Sequence, residues 1–343
     1  MLKNSLLGVI DATANHKGLQ ELTIHRSPAA VPFGGRYRLV DFILSNMVNS
    51  DIRSVAIFPK FQYRSLMDHL GSGKNWDLNR KRDGLFFFPS PSLDYPVTGL
   101  GSLDHFAANI DFFMRSEQEY TIVANACTIF NMDFKPVLEC HIEAGCDITA
   151  IRKDGVSLDI FLLKTSLLKE LILTRHETSY LSIRDVATDP NSPFTLCSYH
   201  YDGFASMIDT VEKYYEASMD LFLPKIWSEL FAMERPILTK VKDEPPTRYA
   251  EGASVKNAMI ANGCLIEGTV ENSIIARSVR IGKNSIVKNC IIMQKTKVEE
   301  SCILEGAILD KDVIVERGAH IKNSGPMPFV IRKGSVQGAW MNS

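Results

Sequence analysis

From Leu265 to Ile321, aliphatic residues return every five or six positions: Leu265, Val270, Ile275, Ile281, Val287, Ile292, Val298, Leu304, Leu309, Val315 and Ile321. That spacing excludes most of the ways a chain can fold. An α-helix repeats about every 3.6 residues and a half-buried strand about every 2, so neither gathers these side chains on one face. A β-helix of hexapeptide repeats does, with each aliphatic turned into a narrow prism and small residues at its corners. The segments "IARSVR", "IGKNSI" and "VKNCII" supply the small and amide residues such corners need. The alternative is a sandwich of short strands, which would need alternation and turn signals roughly every 8 to 12 residues. The reading places a left-handed parallel β-helix over 253–322. A tail over 323–343 then either covers the open end of the solenoid or pairs with another subunit.

Residues 1–235 follow a different rule. Short β-branched runs ("SLLGVI", "VAIFP", "YTIVANA", "DITAIR", "LDIFLL") alternate with stretches whose apolar residues recur at three-to-four spacing ("SLMDHL", "HFAANIDFFMRS", "KPVLECHIEAG", "DTVEKYYEASMDLFL"). This alternation predicts an α/β domain with a mainly parallel, Rossmann-like sheet. Ligands of such sheets bind at the carboxyl ends of the strands, beside the first strand-to-helix turn. Pro236, Pro245 and Pro246 interrupt any helix, which sets a linker over 236–252.

Charge and cysteine usage narrow the function. A net charge of -2 provides no basic field of the kind that draws nucleic acid, and no apolar run reaches the roughly 18 residues needed to span a bilayer. "MLKNSLLGVIDA" is too short in its apolar part for a signal peptide, so a cytoplasmic location is expected. The seven cysteines show no Cys-x-x-Cys spacing and are read as reduced, mostly buried thiols. "GSGKN" at 71–75 lacks phosphate-loop spacing and reads as a surface loop. "NRKRD" at 79–83 reads as a solvated turn, a subunit contact or an anion site, and "GLFFFPSPS" as core or an interface patch.

"PAAVPFGGRYRLVDFILSNMVNSDI" (28–52) and "YYEASMDL" (214–221), with the two halves placed as above, resemble the bacterial glucose-1-phosphate adenylyltransferase family, and in particular its non-catalytic companion subunits. The resemblance runs over nearly the whole chain. It implies a nucleotidyltransferase fold of the GT-A kind, a place in glycogen synthesis, and assembly into a tetramer with a catalytic homologue under the control of metabolite effectors. A homo-oligomer of the isolated chain is a further expectation.

Position by position, the chemistry of that family is missing. Its loop reads Leu-Ala-Gly-Gly-x-Gly-x-Arg-Leu, whereas this chain has "DATANHKGL", with Thr13, Ala14, His16 and Gly18 in place of the three glycines and the arginine. A side chain there stands between the backbone amides and a triphosphate. Pro28 replaces a phosphate-neutralising lysine. Cys127 in "ACTIFNMDF" and Met207 in "GFASMIDT" replace two Mg²⁺-binding aspartates, and soft sulfur ligands do not suit that hard cation. Asp209, two residues on, would rescue one ligand if the register slipped. The family's Glu-Lys-Pro sugar-phosphate lysine has no counterpart. Gly101 and Asp104 match its Gly-Thr-Ala-Asp-Ala segment as the remnant of a sugar-nucleotide pocket, though Asp104 serves equally as a helix cap. Arg26, Arg38 and Lys311 match basic residues that hold phosphate-bearing effectors, against the alternative of solvated charges. His16, His25 and His105 lack partners for a triad or metal site and are read as structural or solvent-facing. The expectation is a silent regulatory subunit that needs no cofactor. The alternatives are an active Mg²⁺-dependent nucleotidyltransferase with a rearranged site and an acyltransferase built on the hexapeptide repeats.

Overall fold

The computed structural model describes residues 5–14, 17–90, 99–323, 325 and 328–338. The strands of three or more residues in the first half are β1 (Leu6–Ala12), β2 (Ser54–Pro59), β3 (Gly84–Phe87), β4 (Tyr120–Asn125), β5 (Thr128–Phe130), β6 (Ile148–Lys153), β7 (Val156–Lys164), β8 (Leu196–His200) and β9 (Ala205–Met207). Seven of them form one sheet in the order β8-β6-β7-β4-β1-β2-β3. β1 runs parallel to both β2 and β4, while β7 is antiparallel to its neighbours β4 and β6. The five predicted strands are all present. The edge strands β3 and β8 lie outside that prediction: β3 falls in the phenylalanine run, with Leu85 and Phe87 packed on one face of the sheet and Phe86 against Phe112 on the other, and β8 has no fully buried side chain. In β8, Leu196, Ser198 and His200 are exposed while Cys197 and Tyr199 are half-buried.

The helices that matter here are α1 (Leu39–Asn49), α2 (Lys135–Ala144), α3 (Thr165–Leu173), α4 (Ile183–Thr188) and α5 (Val211–Met219). α1 starts where the Asp41 carboxylate accepts the Arg38 N–H at 2.9 Å. One face of the sheet buries Ile10, Val55 and Ile122 against α1 and α2 residues such as Ile43 and Leu138. The other buries Val9, Val123 and Phe161 against α3 and α4 residues such as Leu168 and Val186.

Past the prolines the chain winds into three parallel sheets, one per face of a hexapeptide β-helix of the left-handed kind. Ile266, Ile281, Val298 and Val315 stack along one inner column, and Val270, Val287, Leu304 and Ile321 along another. Leu265, expected inside, faces out beside Arg280 and Lys297, and Ile266 takes the inward place. A second aliphatic per turn had hidden this one-residue shift. The corners carry left-handed backbone at Asn272, Asn289 and Gly306, at Ser278, Lys295 and Asp312, and at Asn284, Ser301 and Gly318. Glycine and asparagine are the residues that enter that region most readily. Arg248–Tyr249 already forms the first rung inside the stretch expected as linker, and Phe329–Ile331 and Val336–Gln337 extend the stack into the expected tail. In each case pairing with a formed rung orders residues that have no repeat of their own.

The β-helix packs on the first domain. Ile274, Ile291 and Ile308 turn outward from their coils into a cluster with Phe33, Phe42 and Leu221. Arg26 donates two hydrogen bonds to the Asp310 carboxylate at 2.8 and 3.0 Å, with both side chains buried, and the Tyr215 hydroxyl donates to Asn289 C=O at 2.7 Å.

One cysteine expectation is overturned. Cys146 and Cys197 form a disulfide with Cα atoms 6.1 Å apart. The parallel pairing of β8 with β6 brings together residues 51 positions apart, a proximity invisible in linear spacing. Cys127, Cys264, Cys290 and Cys302 are buried thiols, and Cys140 is exposed.

Candidate functional site

At the carboxyl end of β1, where a nucleotide would lie, stands a carboxylate. Asp11 is buried, and it accepts the Thr13 N–H at 2.8 Å and the Gly101 N–H at 2.6 Å. One amide of this loop, Thr13 N–H, and the Gly101 N–H are therefore satisfied from within the chain, by a group whose charge repels phosphate. Thr13 is itself buried and Ala14 half-buried, while His16 lies outside the described residues. Gly18 packs on the second motif: it bridges to Thr210, its C=O accepts the Val211 N–H at 3.0 Å, and an added Cβ would come within 2.8 Å of Asp209 C=O. An arginine at this position has no room to leave the backbone.

The two sulfur residues lie on neighbouring segments. Met207 in β9 pairs with Thr128 in β5, next to Cys127, and Ile208 N–H donates to Cys127 C=O at 3.0 Å. The Asn125 amide oxygen accepts the Cys127 N–H at 2.7 Å, which locks a tight turn. The Cys127 thiol is pushed up to about 12 by burial, and then by the charges of Asp11 and Asp209, so it stays neutral. Asp209 is taken by Lys213, one turn on, at 2.9 Å. A neutral thiol, a thioether and two carboxylates already committed to amides and to an ammonium do not suit Mg²⁺. Among the described residues, no group of three or more histidine, cysteine or acidic side chains is placed to hold a metal.

Gly101 belongs to this cleft, with a backbone φ of +73° that leaves its amide facing Asp11. Asp104 does not. It pairs with Arg175 at 2.9 Å on the surface, and the helix cap it might have supplied comes from Ser102, which accepts the His105 N–H. His105 is buried against Phe58 with its ring on Phe88 C=O, and burial lowers its basicity. It is a packing residue, as expected. Pro28 opens a buried turn over Pro28–Ala30.

The three effector candidates separate. Arg26 is enclosed in its pair with Asp310, so it fastens the two domains and has no face toward solvent. Arg38 and Lys311 belong to a different constellation. A cavity of about 160 Å³ between linker and β-helix is lined by Lys242, Arg277, Lys295 and Lys311, against Glu244 and Asp312. Three of its wall residues, Ser278, Lys295 and Asp312, form one left-handed corner column of the solenoid. Lys311 is lowered to about 7 by burial, then by the nearby charges of Arg38 and Arg26, with Asp310 opposing and Lys242 adding. Arg38, lowered to about 10 chiefly by burial, donates to Ser65 C=O at 2.6 Å. A lysine whose charge is disfavoured first by burial and then by neighbouring cations is one that a bound anion would recharge.

Sequence reasoning missed Asp11, whose one signal is an acid at the end of an otherwise apolar strand. It also missed Lys242, Arg277 and Lys295, for which no linear signal exists. They meet only because the coils stack.

A nucleotidyl transferase family profile matches residues 16–154, and a GlmU-like, C-terminal hexapeptide profile matches 245–324. The chain is 53% identical over 343 residues to the glycogen biosynthesis protein GlgD of Bacillus subtilis (strain 168), with all of both chains covered. It is 56% identical over 338 residues to the protein of the same name from Geobacillus stearothermophilus, covering 98% of each. Similarity to the glucose-1-phosphate adenylyltransferase of Clostridium novyi (strain NT) is 27% over 328 residues, covering 83% of this chain and 85% of that one. No helix among the described residues is long and apolar enough to cross a membrane.

Proposed function

The chain belongs to the family of the glycogen biosynthesis protein GlgD, and from that premise we propose that it is a catalytically silent, regulatory subunit of a glucose-1-phosphate adenylyltransferase. Its partner is a catalytic homologue in a cytoplasmic heterotetramer, and it uses no cofactor of its own. The observation that carries the reading is Asp11 occupying the amides of Thr13 and Gly101 beside a neutral, buried Cys127. Nucleotidyl transfer depends on a cation and on backbone donors aimed at the phosphates. Here a carboxylate has replaced the phosphate and a thiol the metal ligand. Arg38, Lys242, Arg277, Lys295 and Lys311 are the residues proposed to receive a phosphate-bearing effector, with Arg26 removed from that set by its pair with Asp310.

The test is ADP-glucose formation from ATP, glucose 1-phosphate and Mg²⁺, measured with this chain alone, with the catalytic homologue alone and with the mixture. The expected result is no product from this chain and a faster or effector-sensitive rate in the mixture. Substantial product from the chain alone would establish the active alternative, and a mixture no different from the homologue alone would remove the regulatory role.

A further inference from the structure

Neither the cleft nor the basic cavity involves the disulfide that joins Cys146, next to the glycine that ends α2, to Cys197 in β8. β8 is the last strand of the seven-stranded sheet, so its backbone pairs on one side only. Its side chains hold it weakly: Leu196, Ser198 and His200 are exposed, and Cys197 and Tyr199 are half-buried. The two ends of the strand are fastened, since Thr195 N–H donates to the Asp147 carboxylate and the Tyr201 hydroxyl donates to Asn131 C=O, each at 2.9 Å. Between those points β8 rests on its ladder to β6, the packing of Tyr199 and the disulfide.

The other five cysteines set this pair apart. Cys127, Cys264, Cys290 and Cys302 are buried thiols, and burial raises the pKa of each, so none is a ready nucleophile. Cys140, on α2, is exposed and unpaired. Within the pair, Cys146 is sealed at 4% exposure while Cys197 is partly exposed beside the free edge of the sheet. A thiolate arriving from solvent therefore has its access at the Cys197 sulfur. Where thiols are kept reduced, as in the cytoplasmic setting proposed above, a protein disulfide is usually transient or redox-sensing.

We propose that Cys146–Cys197 is a reversible thiol–disulfide site whose reactant is a small thiol or dithiol, and that its state sets the order of β8. In the reducing direction a reagent thiolate attacks Cys197 Sγ. The S–S bond breaks, its electron pair leaves on Cys146 Sγ, which takes up a proton, and a mixed disulfide remains on Cys197. A second reagent thiolate attacks the reagent sulfur of that mixed disulfide and releases the Cys197 thiolate, which is protonated in turn. Two electrons and two protons pass to the protein, and the reagent leaves as its own disulfide. A small oxidised disulfide runs the same steps backward. With the bond closed, residues 51 positions apart are tethered and β8 cannot leave β6. With it open, the open states of the strand regain the freedom the tether removed, and an edge strand without a fully buried side chain opens before the core does. The inference is independent of catalytic silence.

Deuterium exchange of the full chain, oxidised and then reduced with dithiothreitol under native conditions, tests it. A titration against reduced and oxidised glutathione, read by thiol labelling in a Cys140→Ser background, accompanies it. Tyr201 N–H donates to Arg152 C=O and Ile148 N–H to Thr195 C=O, so by the two-residue alternation of a strand the amides of Cys197 and Tyr199 also face β6. Those two amides should exchange about tenfold faster or more once the bond is open. The outward amides of Leu196, Ser198 and His200, and those of the central strand β1, should keep their rates. Cys197→Ser should reproduce the reduced pattern with no reagent present; the reduced wild type makes the same comparison if that variant does not fold. A bond that dithiothreitol fails to open in the native protein overturns the proposal. So does a pair that stays reduced against excess oxidised glutathione, or equal exchange at Cys197 and Tyr199 in the two states.

Discussion

At the residue scale, the cleft has become a piece of core. Asp11, Gly101, Cys127 and Asn125 satisfy one another, so restoring one family residue does not restore a site. Cys127→Asp would place a carboxylate in a pocket 2% exposed, within reach of the charges of Asp11 and Asp209. The expected outcome is a loss of several kcal/mol of stability in urea melts and no Mg²⁺-dependent pyrophosphate exchange. Asp11→Ala leaves the buried amides of Thr13 and Gly101 without their acceptor, which costs about 1–3 kcal/mol for each. Lys311 makes a pH prediction. Held near 7, it is charged at pH 6 and mostly neutral at pH 8, so sulfate, which does not titrate in this range, should bind more tightly at the lower pH by calorimetry. Lys311→Met should flatten that dependence. For stability the sign is opposite to that of a salt-bridged lysine: the unfolded chain binds the proton up to about 10.5, so this group makes the protein more stable as pH rises from 7 toward 10.

At the element scale, the β-helix and the sheet differ in how openly they are written. The solenoid repeats its instruction on every face, and one misassigned residue, Leu265, leaves the architecture unchanged. An edge strand such as β8, with no fully buried side chain, carries a weaker instruction and emerges only from pairing. Coil stacking also makes a local prediction. A Cβ at Gly282 would approach the Glu299 backbone within 2.6 Å, and the three nearest atoms are all backbone, which leaves no flexible side chain to give way. Gly282→Ala should cost about 1–3 kcal/mol in denaturant melts, whereas at Gly318, which has nothing within 4 Å of the added atom, the cost comes from its left-handed backbone alone.

At the scale of the whole molecule, the β-helix and the α/β domain act as one body through the Ile274, Ile291 and Ile308 column and the Arg26–Asp310 pair. Removing one partner of a buried ion pair strands the other, so Arg26→Ala should lose about 3–5 kcal/mol and open the segment 236–247 to proteolysis. The double variant Arg26→Met, Asp310→Leu should recover most of that stability in the same melts, since an apolar replacement of both members leaves no buried charge. The same junction frames the basic cavity. Changes to the clasp should therefore weaken sulfate binding without any contact to the anion.

Two halves with different periods, the missing glycines and the sulfur residues at two acidic positions were legible in the sequence, because each is a matter of residue type along one strand or coil. The fate of Arg26, the role of Asp11, the Cys146–Cys197 bond and the gathering of Lys242, Arg277 and Lys295 are facts about distance between residues far apart in the chain. Only the packed structure decides them, since a charge is a ligand site or a structural clasp according to what the fold sets against it.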